Sequence, residues 1–116
     1  MQRETHVYII AAGDYVKIGI SADPRRRLKD MSTGMAEKPH LLASKAFPTG
    51  AMARTIERRM HWHFREFRER GEWFRISPAT AWARLRSTKA PTKANDDADY
   101  IAAVNSLFAI GEPRLL

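Results

Sequence analysis

The residues with chemical potential fall into three groups, and each has an ordinary reading beside a functional one. Glu57 and His61 are four residues apart, so a helix stacks them one turn apart at the edge of its apolar stripe. Glu57 has Arg54, Arg58 and Arg59 around it, which makes a plain surface salt bridge easy to draw. His63 falls inside the stripe and reads as a packed histidine. A zinc site on His61 and His63 is a weak alternative, because the two rings leave different faces of a helix. Arg25, Arg26, Arg27 and Lys29 crowd one short segment, which suits a solvated face or a stripe of phosphate contacts. An arginine fixed beside a phosphodiester can also stabilise the extra charge of a pentacovalent transition state. Tyr8, Tyr15 and Lys17 supply two phenols and an ammonium close together in the chain.

Those side chains need elements to hold them. Val7–Ile10 and Tyr15–Ile20 are rich in β-branched and aromatic residues and read as two strands, with Gly13-Asp14 as a two-residue hairpin turn. The turn sets a register in which Ala12 opposes Tyr15, Ile10 opposes Lys17, Tyr8 opposes Gly19 and Val7 opposes Ile20. One face then carries Val7, Ile9, Ala11, Val16, Ile18 and Ile20, all apolar. The other carries Tyr8, Ile10, Tyr15, Lys17 and Gly19 and reads as half-polar. Asp23-Pro24 starts a short helix that ends around Met31 to Gly34. Leu41–Phe47 reads as a third strand.

Thr49 then caps a long helix from about Gly50 to Arg70, closed by Gly71, with Ala53, Ile56, Met60, Phe64 and Phe67 as its apolar stripe. Glu72–Ile76 looks extended, and Ser77-Pro78 caps a further helix to about Arg86, anchored by Trp82 and Leu85. The expected class is α/β of the α+β kind, a small three-stranded antiparallel sheet flanked by helices over residues 1–86. Residues 87–95 have linker composition, and residues 96–116 read as an acidic C-terminal helix and tail.

Composition narrows the function classes. With 116 residues and no cysteine, the chain has room for one domain and no means of building a disulfide framework or a thiolate zinc site. The longest apolar run, Val7 to Ala12, is far too short to span a membrane, and the opening residues have no signal-peptide stretch. A cytoplasmic protein with no membrane partner is the expectation. Twenty Lys and Arg against 13 Asp and Glu give a net charge of +7. Residues 1–94 hold nineteen basic and nine acidic residues (+10), whereas residues 95–116 hold one and four (−3). A basic body suits a polyanion, with nucleic acid as the default partner. The tail's stripe of Ile101, Val104, Leu107 and Phe108 must pack on its own domain or on a second copy, so a homodimer through that helix stays open.

Taken in chain order, Tyr8, Lys17-Ile18-Gly19, Asp23 to Arg27-Leu28, Glu57-x-x-x-His61-x-x-Phe64 and Gly71-Glu72-Trp73-Phe74 resemble the GIY-YIG nuclease superfamily. Within it they look like the small branch found in phage DNA-binding proteins and a meiotically up-regulated fungal gene product. The resemblance covers about residues 6–76 and implies a metal-dependent endonuclease, or nicking enzyme, acting on DNA phosphodiesters. It implies Tyr8 as the phenol that activates or positions the attacking water, helped by Lys17 or His61. It further implies Arg27 as the phosphate-binding arginine and Glu57 as the ligand of a Mg²⁺ or Mn²⁺ ion. His61 matches a histidine typical of the branch. Arg25, Arg26, Lys29, Arg54 and Arg58 would contact DNA, with Tyr15 and Glu72 as accessory candidates.

Three departures stand out. Lys-Ile-Gly replaces the namesake Tyr-Ile-Gly, His6-Val7-Tyr8 replaces Gly-Ile-Tyr, and the region of Gly71 to Phe74 lacks the late asparagine of many relatives. Met31 also stands where some relatives carry a histidine. A charged lysine cannot accept a hydrogen bond as a phenol can. The same residues would serve a non-catalytic DNA-binding module descended from a nuclease. A protein-interaction domain using the acidic tail is a third reading. For a nuclease, Glu57 and Arg27 must converge on Tyr8 within one phosphate's reach, with Gly19 leaving space beside the phenol.

Overall fold

A computed structural model of the chain describes residues 3–89. Its elements are β1 (Thr5–Ala12), β2 (Tyr15–Ser21), α1 (Pro24–Ser32), β3 (His40–Phe47), α2 (Gly50–His63), a 3-10 turn (Arg65–Phe67), β4 (Arg68–Arg70), β5 (Trp73–Phe74) and α3 (Pro78–Ser87). Residues 96–116, expected to form an acidic C-terminal helix and tail, lie outside the described residues, and with them the expected contact to a second copy.

Gly13, at φ +59°, turns β1 into β2, and the two strands pair from Ala12↔Tyr15 to His6↔Ser21. Tyr8 therefore faces Gly19, and Ile10 faces Lys17. β3 adds to the free side of β1, giving an antiparallel sheet in the order β3-β1-β2-β5-β4. Each helix begins where a side chain accepts from its first turn: Asp23 from Arg26 N, Thr49 from Met52 N, Ser77 from Thr80 N. The core forms on the face of Val7, Ile9, Val16 and Ile18, covered by Ala53, Ile56 and Met60 of α2 and by Ala81 and Leu85 of α3. Lys45 holds the end of α3 there, donating to the Arg86 and Thr88 carbonyls, where a cation also meets the negative end of the helix dipole.

The opposite sheet face is not the half-polar surface its composition suggests. Tyr8 and Ile10 are fully buried and Lys17 nearly so, because α1 lies over this face and brings Arg27 to Tyr8. The sheet also has five strands rather than three. α2 stops at His63 instead of continuing to Arg70, and Gly71, at φ +57°, tips the β4–β5 hairpin instead of closing a helix. Phe67, counted in the helical stripe, is 40% exposed. Trp82 is half-buried against the core, and Ala81 shares the anchoring of α3 with Leu85.

The reason is tertiary. Phe74 belongs in the core opposite Val16, and the free edge of β2 has backbone groups to satisfy. Meeting both needs makes the chain reverse soon after Phe64. β5 is nevertheless short. It pairs with Val16 and Lys17, and one further bond runs from Ile18 N–H to the Glu72 carbonyl at 3.0 Å. From Gly19 to Ser21, β2 has β1 on one side and, among the described residues, no strand on the other.

Candidate active site

Chemistry collects at this open stretch of β2, and Gly19 is its floor. A Cβ at position 19 would lie 2.5 Å from Tyr8 Oη and 2.9 Å from Glu72 Oε1, so the phenol and the carboxyl both rest on the space a side chain would fill. Arg27, exposed on α1, hydrogen-bonds to the phenol. Lys17, two residues before Gly19 and on the same face, places Nζ 3.0 Å from Glu72 Oε1.

Glu57 arrives from the other side of the sheet. On α2, Arg54, Glu57 and His61 follow at intervals of three and four and so share a side. That side runs along the β2 edge: His61 Nε2 donates to the Ile18 carbonyl at 2.8 Å, where β5 departs from β2. One turn earlier, Glu57 reaches around the edge to within hydrogen-bonding distance of the Glu72 carboxyl. Glu57 is only 8% exposed, an acid inside the protein rather than a surface salt-bridge partner.

The electrostatics follow from this crowding. Burial first, then the charge of Glu72 and the hydrogen bond with it, push Glu57 from an ordinary 4.5 up to about 7, against the pull of Arg54 and Lys17. Burial raises the Tyr8 phenol as well, and the hydrogen bond from Arg27 offsets part of that rise. Burial lowers His61, which leaves a neutral imidazole whose Nε2 carries the proton given to Ile18. A buried carboxyl that resists ionising beside a second one forms a place a cation would relieve. Among the described residues no cluster of three or more His, Cys, Asp or Glu stands ready for a metal. A cation held by Glu57 and Glu72 would complete its shell with water or phosphate oxygens, a habit of Mg²⁺ and of similar hard ions.

The structure thus brings together Tyr8, Lys17, Arg27, Glu57, His61 and Glu72. Arg54 borders Glu57, whereas Arg25, Arg26, Lys29 and Arg58 are exposed on the helix surfaces around the centre. Tyr15 is not part of it. It lies four residues from Gly19 along β2, ~13 Å by strand rise, and its phenol accepts from Arg75 Nη2 at 3.1 Å. His61 and His63 form no joint site, since His61 is committed to Ile18 and His63 packs edge-on against Phe64.

Two neighbours were not among the candidates. Arg68 sits 5.6 Å over the Phe74 ring, and its charge bears on His61. Reading the segment as helix hid it. His6, two residues before Tyr8 on the same face, buries an Nδ1 with no hydrogen-bond partner among the described residues. Strand alternation alone could have flagged it.

Fold and centre together define a small α+β domain with a phenol, an arginine and an acid pair gathered at a sheet edge. The chain belongs to the T5orf172 domain family, whose model matches residues 5–102. This is a family of phage-type, nuclease-associated domains, which makes the chain a nuclease-like or DNA-binding module. No curated protein and no solved structure gave a significant match. No helix among the described residues is long and apolar enough to cross a membrane.

Two measurements check this geometry. Gly19→Ala should overpack the fully buried Tyr8 and cost ~1–3 kcal/mol in urea unfolding, with displaced resonances for the Tyr8 ring. Unchanged stability and an unmoved Tyr8 ring in that variant would mean that phenol and carboxyl do not meet over residue 19. The second concerns pH. Because folding raises Glu57, the native state binds the extra proton, so this contribution is complete below about 4.5 and is lost as pH rises through about 7. Wild type should therefore lose stability relative to Glu57→Gln across that window. His61 and His63, both lowered by burial, act in the opposite direction but equally in the two proteins. A pH-independent difference would place Glu57 in solvent.

Proposed function

We propose that this chain is a GIY-YIG-type endonuclease that nicks DNA with the help of a divalent cation, Mg²⁺ or Mn²⁺. The observation that carries the reading is the convergence of Tyr8, Arg27, Glu57 and Glu72 on the side-chain-free Gly19. Arg27 binds the scissile phosphate with its guanidinium, the geometry best suited to phosphate oxygens. It also donates to Tyr8 Oη, which leaves the phenol's own proton and its remaining lone pair free to orient a water for in-line attack.

Glu57 and Glu72 would hold the cation, which when bound would supply Lewis-acid polarisation of the phosphate and charge stabilisation of the leaving oxygen. The acid pair fits that task because burial and the neighbouring Glu72 hinder ionisation of Glu57 until positive charge arrives. Lys17 provides a counter-charge to Glu72 rather than a base, its ammonium already lying against the carboxylate. His61 holds α2 to the β2 edge and so positions Glu57. The basic side chains of α1 and of α2, Arg25, Arg26, Lys29, Arg54 and Arg58, supply the sequence-independent attraction to the DNA backbone.

One observation favours a second reading, a DNA-binding module without catalysis. Lys17 stands where the resembled family has a tyrosine, and its ammonium gives the acid pair a built-in cation. Nicking of supercoiled plasmid separates the two. With Mg²⁺ or Mn²⁺ the wild type should nick, and Glu57→Gln should reduce the rate by at least ~10², the scale of one well-placed electrostatic group. DNA affinity should hold or rise slightly as a negative charge leaves the phosphate-facing site. Binding without nicking at any protein concentration supports the module instead, and equal loss of binding and cleavage makes Glu57 structural.

A further inference from the structure

We propose that a cleft beside this centre receives one unstacked nucleobase of the bound DNA, so that the domain selects DNA containing an unpaired nucleotide. The inference rests on DNA binding at the centre described above, and it does not require cleavage. The cleft has a volume of about 620 Å³, within the range that encloses small aromatic ligands. Tyr15, Met31, Met35 and Trp73 line it together with the charged side chains Glu37, Glu69 and Arg70.

Its position ties it to the centre. Trp73 pairs with Lys17 across β2 and β5, so both side chains leave the same sheet face. Lys17 Nζ lies 5.7 Å from the Trp73 ring and 3.0 Å from Glu72 Oε1, so one lysine links a wall of the cleft to the acid pair. By strand rise, Lys17 and Tyr15 lie ~7 and ~13 Å from Gly19. Against a rise of ~3.4 Å per nucleotide in one duplex strand, that is a few nucleotides from a phosphate held by Arg27.

The lining chooses the occupant. Glu37 and Glu69 can accept from the exocyclic amino group of a base, and Arg70 can donate to its ring nitrogens or carbonyl oxygens. Indole, phenol and thioether walls offer stacking faces and polarizable contacts to a flat heteroaromatic ring. A base within an intact duplex has no free face to present, so it must come from a gap, bulge, mismatch or single strand. Glu37 closes the far end against the β1–β2 turn: a Cβ at Gly13 would lie 3.2 Å from its Oε1. Glu37 thus bounds the cleft on the side of that turn.

The test is equilibrium binding of the full chain in EDTA, where no cleavage intervenes. The probes are two duplexes of equal length, one fully paired and one bulged by a single unpaired 2-aminopurine. Wild type should bind the bulged duplex on the order of tenfold tighter and quench the 2-aminopurine by stacking, as expected for one base on an aromatic platform. Trp73→Ala should abolish both the preference and the quenching while keeping its affinity for the paired duplex, and Trp73→Phe should retain most of both. Met35→Ala, outside the sheet, should weaken the preference without disturbing β5. Equal affinity of wild type for the two duplexes overturns the inference, as does a preference that survives both Trp73→Ala and Met35→Ala. Failure to bind either duplex overturns it along with the DNA reading. A protein that prefers the bulge yet never nicks plasmid keeps the cleft and loses the nuclease.

Discussion

A side chain at position 19 would have nowhere to go. The space beside that backbone is filled by the Tyr8 phenol and the Glu72 carboxyl, at separations no Cβ tolerates. Glycine here lets groups from two strands, a hairpin turn and two helices approach one point. The rest of the fold is arranged around keeping that point open. β5 anchors through Phe74 and then leaves β2 at Ile18, and His61 takes up the carbonyl at that departure. Had β5 continued, a paired strand would cover the gap through which Glu57 passes from the core face to Glu72.

The same gap sets the electrostatics. Glu57 is buried and faces a second carboxyl, and the local cations Lys17 and Arg54 do not fully compensate, so it holds its proton to about 7. Such a pair would be a poor choice for stability alone, since a buried carboxyl beside a second one is costly. It is a sensible choice where positive charge arrives from outside, as a metal ion, a phosphate-bound cation or both. Lys17 moderates the cost without removing it.

Much of this was legible in the residues. The Gly13-Asp14 turn and strict alternation determined the β1–β2 register, and with it the approach of Tyr8 to Gly19. Asp23, Thr49 and Ser77 marked helix starts correctly, because capping is a local interaction. The end of α2 was not legible. Arg65 to Arg70 contains good helix formers and no breaker, and Phe67 continues a helical interval, so local preference pointed one way. Pairing of Trp73 and Phe74 with β2, a long-range interaction, decided the other way. Glu72 as partner of Glu57 was hidden for the same reason: only the hairpin that replaces the helix brings the two acids together. The covered second face was missed because alternation assigns residues to faces but does not say what packs on them.

Paramagnetic titration of the apo protein with Mn²⁺ addresses the central claim most directly, that the acid pair at the Gly19 edge is a cation site. Substoichiometric Mn²⁺ should broaden the amide resonances of Gly19, Glu57 and Glu72 selectively, with Arg27 affected next and α3 unaffected. Glu57→Gln should remove the selective broadening. Broadening centred elsewhere, or the same selective pattern persisting in Glu57→Gln, would contradict the account.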